Sequence, residues 1–225
     1  AAAIKLEEKR AKIWTDCVTK TVVPSEKRMQ ATLYKYFTLQ RNSALDLIDE
    51  WAKTTTELKM VKAVDFSGIF SLSLSDWNKI LKDMAYPVYD AGITVQAAQV
   101  ADELGGTLVN WGQNAPYVEA YKAARIKFMQ QINTTTFELA RKEIADVIAK
   151  ATLEKLSVNE TAKLLKSNIQ DIYGVRLNNS NTIARTEMGS IASTTRFSIF
   201  RKEGITHHEW LSAKDEKVRD SHQAD

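Results

Sequence analysis

The sequence predicts a mostly α protein, built from long amphipathic helices and followed by a small α+β element at its C-terminal end. Three observations lead there. Glycine and proline are scarce, eight and three in 225 residues, so few positions can interrupt a helix. Apolar residues recur at steps of three, four and seven, the period of one helix face. Boxes of Ser or Thr followed three residues later by Glu precede several of these windows, and such boxes mark helix starts.

The first helix is predicted over about 4–20, carrying the single cysteine, Cys17, at helical spacing from Ile13 and near Trp14, as a packed thiol. The second begins near Pro24, whose fixed φ suits a first helical turn. Its stripe is Leu33, Tyr36/Phe37, Ala44, Leu47/Ile48 and Trp51. A stripe this long is expected to pack on more than its own domain. Leu33, Phe37 and Leu47 are therefore candidate contacts with a partner or another copy. Thr54 with Glu57 predicts a cap for a next, shorter helix.

"FSGIFSLSLSDW" reads as a break, with Ser75 or Asp76 capping a helix that carries Trp77, Ile80, Leu81 and Met84. Pro87 is expected to end or kink it. The helical pattern resumes up to Gly105-Gly106, a stop signal. "TLVNWGQNAP" reads as a loop or short strand, and a helix follows over about 117–131. Thr135 with Glu138 then predicts a fresh helix start, and Ser157 with Glu160 another. Gly174 is expected to close that helix. One more long helix follows, with Gly204 as its stop. "ITHHEWL" alternates as a strand does, with His208 and Trp210 on one face. If the last turn is helical, Asp215, Arg219 and His222 lie at i, i+4 and i+7 on one face.

The composition bounds the function. No stretch is long and apolar enough to span a membrane. One cysteine allows neither an intrachain disulfide nor a cysteine-based zinc site. From Arg185 onward seven Lys/Arg balance seven Asp/Glu, whereas 120–170 carries nine against five. That surplus makes Lys122, Arg125, Lys127, Arg141 and Lys142 candidate contacts for DNA. The competing reading is a solvated helical face.

The last third resembles the phage head morphogenesis family, minor capsid proteins typified by the F protein of phage Mu. The resemblance rests on "INTTTFELARKEIADVIAK", "SVNETAKLLK", "NTIARTEMGSIASTTRFSIFRKEGI" and "HEWLSAKDEKVRDSH" in that order. An "ARTE" helix followed by a tryptophan strand and D-x-x-V-R-x-x-H is the specific part. Two departures stand out. Relatives often place a glycine before the capping serine, where this chain reads "ATLEKLSVNE", and they continue past the histidine into more strand. The resemblance thus implies a helical N-terminal region over 1–130 and a head-morphogenesis domain over 131–225, incomplete at its end. It also implies a virion protein near the portal vertex, assembled in the host cytoplasm. Such a protein associates with the portal protein, sometimes as a domain fused to it, and acts in head assembly and DNA packaging or ejection.

The chemistry of the named residues points to packing rather than catalysis. Arg185 and Glu187 stand two positions apart on a helix, about 200° around the axis, and cannot face one ligand. Arg185, Glu187, Trp210, Asp215, Arg219 and His222 are expected to form a structural network, with Arg219 as its hub and Arg185 approaching the same acids. An arginine between the ligand candidates argues against a metal, and Ser221 beside His222 does not predict a nucleophile–base geometry. No cofactor is implied. The alternatives to a non-enzymatic assembly protein are an internal head protein binding DNA non-specifically and an enzyme built on the ARTE and D-x-x-x-R-x-x-H residues.

Overall fold

The computed structural model describes residues 2–55, 72–106, 111–112 and 116–205. These are almost entirely helical, and no strand occurs among them. The predicted strand 205–211, the final turn and Glu57 lie outside the described residues, apart from Ile205.

The chain starts with α1 (Ala2–Cys17), which runs through a π-turn (Val18–Val22) straight into α2 (Val23–Thr54). Pro24 sits in the first turn of α2, as its fixed φ predicts, but α1 does not end before it. The widened turn is the physical reason the rod continues. Proline has no N–H and clashes with the carbonyl four residues back. Here Val23 N–H donates to the Val18 carbonyl, five residues back, and the mismatch is absorbed. Thr54 itself lies at the end of α2, and the helix predicted after it falls outside the described residues. The Thr54 hydroxyl donates back to the carbonyls of Glu50 and Trp51 in the last turn of α2.

Helix α3 (Leu74–Leu104) is capped by Ser73, with Asp76 closing the box, two residues before the earliest predicted cap. Hydrogen bonds from Ser73 hold the Asp76 carboxyl below its ordinary value. Pro87 neither ends the helix nor separates its two halves. Ala85, Tyr89, Gly92 and Ile93 are all buried around it, so packing on both sides outweighs the lost hydrogen bond. The stop at Gly105-Gly106 is as predicted. Gly105 has φ 80°, and Gly106 N–H reaches the Ala101 carbonyl while Gly105 N–H reaches that of Asp102.

Helices α4 (Pro116–Glu154) and α5 (Val158–Lys202) correct two sequence expectations. The predicted break at Thr135 is absent, and α4 runs unbroken through it and through the 130/131 boundary. The hydroxyls of Thr134, Thr135 and Thr136 donate to the carbonyls four residues back, and burial of Asn133, Thr136, Phe137 and Ala140 carries the helix through. Gly174 does not close a helix either. Ile169, Tyr173, Ser180 and Ala184 are buried on either side of it, and their packing offsets the roughly 1 kcal/mol a mid-helix glycine costs. The Ser157–Glu160 box and the Gly204 stop are where the sequence places them.

Between α4 and α5 the chain turns on Lys155, at φ 55°, with Leu156 N–H on the Ala151 carbonyl. Left-handed backbone is unfavourable for a residue with a Cβ, and Lys155 is exposed. Lys155→Gly is therefore expected to stabilise the protein by about 0.5–1 kcal/mol. A chemical-denaturation midpoint that falls in this variant would show that the turn carries no such strain.

Helix α2 packs most extensively on α5. Helix α3 lies against both, and α4 lies over α3 and α5. One apolar core draws on all four, from Met29 to Ile191. It contains residues from both sides of the 130/131 boundary. Leu33 and Phe37, expected to meet a partner, are 1% and 2% exposed. Their stripe is covered by this chain itself, because α5 and α3 already occupy that face. Leu47 is half-buried.

Candidate functional site

The second residue pair of the ARTE motif is where the molecule concentrates its buried charge. Glu187 is fully buried on the inner face of α5. Arg125 of α4 grips it with two N–H groups, Nε to Oε2 at 3.0 Å and Nη2 to Oε1. Tyr89 of α3 donates its hydroxyl to Oε2 at 2.8 Å, with Met129 Sδ alongside. The carboxylate thus ties three helices together. Burial and the adjacent Glu187 charge push the Tyr89 phenol far above its ordinary value, so it stays a donor. The bonds to Glu187 raise Arg125 in turn.

One turn along α4, Lys122 is 4% exposed. Its Nζ lies 2.6 Å from Asp90 and 2.6 Å from Glu119. Desolvation pulls its pKa down, but these two carboxylates together raise it. Tyr121 and Ser190 share a 2.8 Å hydrogen bond between α4 and α5. Three turns beyond Lys122, Asn133 accepts from Gln40 of α2 at 2.8 Å and donates to Asn78 of α3 at 2.7 Å. Arg176 Nε donates to Thr136 Oγ1 at 2.7 Å. The inner face of the first half of α4 is therefore a column of polar ties.

This placement corrects two DNA candidates. Lys122 and Arg125 are turned into the protein and engaged by its own carboxylates, because both occupy core phase on α4. Lys127, Arg141 and Lys142 are exposed on the same helix. Arg185 faces away from Glu187. It is 72% exposed, and its Nε lies 3.9 Å from Glu26 of α2. The acids of the final turn that it was expected to approach, together with Trp210, Arg219 and His222, lie outside the described residues. Glu187 does join a network, but the arginine in it is Arg125.

A second polar cluster ties the π-turn to the ends of α3 and α5. Arg196 holds Glu103 with two bonds of 2.8 and 2.6 Å and lies over the Phe200 ring. Thr21 Oγ1 stands 3.1 Å from Gln96 Oε1, and Gln96 Nε2 donates to Cys17 Sγ at 3.5 Å. Cys17 is buried, as its spacing predicts.

Sequence reasoning missed Tyr89, Asp90, Gln40, Asn78, Asn133 and the Arg196–Glu103 pair. A signal existed for α4. Its core phase reads Val118, Lys122, Met129, Asn133, Thr136 and Ala140, so polar residues at those positions demand buried partners.

The Glu187 carboxylate accepts three hydrogen bonds, two from Arg125 and one from Tyr89. The crevice lined by Thr21, Ser25, Gly92, Gln96, Met188 and Ile191 has room for about one water molecule. Among the described residues no group of three or more His, Cys, Asp or Glu is arranged to hold a metal, and no helix is long and apolar enough to cross a membrane. Comparison with family models, with curated proteins and with solved structures gives no match.

Proposed function

We propose that this chain is a non-enzymatic minor capsid protein of the phage head-morphogenesis type. In this reading it sits in the capsid interior near the portal vertex, associates with the portal protein, and acts in head assembly and DNA packaging or ejection. The observation that carries the reading is the ARTE helix followed, in order, by Trp210 and by Asp215, Arg219 and His222. The described geometry is compatible with a scaffold role: Glu187 of that motif is an anchor between three helices, its carboxylate accepting hydrogen bonds from Arg125 and Tyr89. The segment 206–225 is proposed to complete a small α+β element.

The test is the census of purified particles by quantitative mass spectrometry and cross-linking. A few copies per particle, cross-linked to the portal protein, are expected. Absence of the chain from purified particles would overturn the reading.

A further inference from the structure

We propose that α4 is a hinged helix whose first half, 116–132, swings off the α3/α5 surface about a pivot at Thr134–Thr135. Three independent features of the molecule converge on this point.

The first is an unused start signal. Two boxes of the same grammar, Ser73-x-x-Asp76 and Ser157-x-x-Glu160, both cap helices here with side-chain and backbone bonds in both directions. Thr135-x-x-Glu138 is a third, yet it lies inside α4 with Thr135 Oγ1 turned back to the Gln131 carbonyl at 3.0 Å. Both residues are exposed, so nothing sterically prevents them from closing a box of their own. A helix beginning at Thr136 would gain that cap.

The second is local weakness. Asn133, Thr134, Thr135 and Thr136 form a run of poor helix formers. Threonine hydroxyls bonded to the carbonyl four residues back slightly destabilise and bend a helix. Three in succession do so here, at 2.8, 3.0 and 2.7 Å.

The third is a change of seat at the same place. Beyond the pivot, α4 is seated by Phe137, Ala140, Ile144, Val147, Ile148 and Ala151, all buried and all apolar. Before it, the seat is Tyr121 on Ser190, Lys122 on Asp90 and Arg125 on Glu187, with only Val118, Ile126 and Met129 as buried apolar groups. Water can replace each polar tie when the segment lifts, whereas it cannot replace apolar burial. Glu187 becomes hydrated in the same motion, so opening avoids the penalty of a buried unpaired charge. Asn133, whose bonds to Gln40 and Asn78 are polar like the others, lies next to the pivot on the side that lifts.

Native-state hydrogen exchange on the whole chain, read by mass spectrometry where exchange reports the opening equilibrium, tests this. The amides of 116–132 are expected to exchange together and faster than those of 137–154. Thr135→Ala removes the latent cap and raises helix propensity at an exposed position. It should slow exchange of 116–132 about tenfold and leave 137–154 unchanged. Equal protection along α4, or an unaltered 116–132 in Thr135→Ala, would overturn the hinge.

Discussion

Replacing Arg125 with methionine is expected to destabilise the protein by about 3–5 kcal/mol, one of the two largest effects the structure predicts. The substitution roughly preserves length and apolar stem, so little packing is lost. What it leaves behind is a carboxylate at 0% exposure, on a helix pinned between its neighbours, with only the Tyr89 hydroxyl still donating to it. For a chain of this size that loss corresponds to a fall in melting temperature of about 10 °C. Arg125→Lys keeps the charge but not the two-pronged geometry, and should fall between. The pair Arg125→Met with Glu187→Met removes both charges and should be far less destabilising than the sum of the singles. Thermal melts of the two single variants and the double variant complete the cycle. Additive losses would mean that the two side chains do not act as a unit.

Phe37→Ala should cost about 3–5 kcal/mol as well, by a different mechanism. Phe37 is 2% exposed and meets the Tyr36 ring edge-on, and Tyr36 in turn meets the Trp77 ring edge-on. Truncation opens a cavity that the surrounding helices cannot collapse into. Leu33→Ala belongs to the same group, at about 2–5 kcal/mol, whereas Leu47→Ala at a half-buried site should cost less. The ordering separates a core stripe from a docking stripe. Urea denaturation of the isolated protein reads it directly. If Phe37→Ala keeps the wild-type midpoint and loses only particle incorporation, the side chain meets a partner after all.

Much of the helical architecture was legible in the sequence. The scarcity of glycine and proline, the apolar spacing and the Ser157–Glu160 box each act through local physics: backbone freedom, side-chain direction and hydrogen bonding within one turn. So do the stops at Gly105 and Gly204, where only the left-handed conformation is needed. The errors have a common form. At Pro87, Thr135 and Gly174 a local stop or start signal lies inside a continuous helix. The preference for a break is worth about 1 kcal/mol at glycine and about 3 at proline. Burial of the flanking residues on two or three neighbouring helices exceeds that, and no window of local sequence contains those neighbours.

The candidate site divides the same way. That Arg185 and Glu187 serve different surfaces follows from helix geometry alone, and the structure has one exposed and the other fully buried. That Lys122, Arg125, Asn133 and Thr136 occupy core phase on α4 was also present in their spacing, although their charge drew the reading toward DNA. What spacing cannot supply is the identity of the partner. Glu187 meets Arg125 across 62 positions and Tyr89 across 98. Such pairings depend on how four helices are laid against one another. The sequence by itself determined that the described residues are helical, that α5 starts at the Ser157 box, and which faces are apolar, because those are properties of one turn of backbone and its side chains. Only the tertiary structure decided which breakers are overruled and which charges are internal. Both outcomes are set by desolvation and packing between segments far apart in the chain.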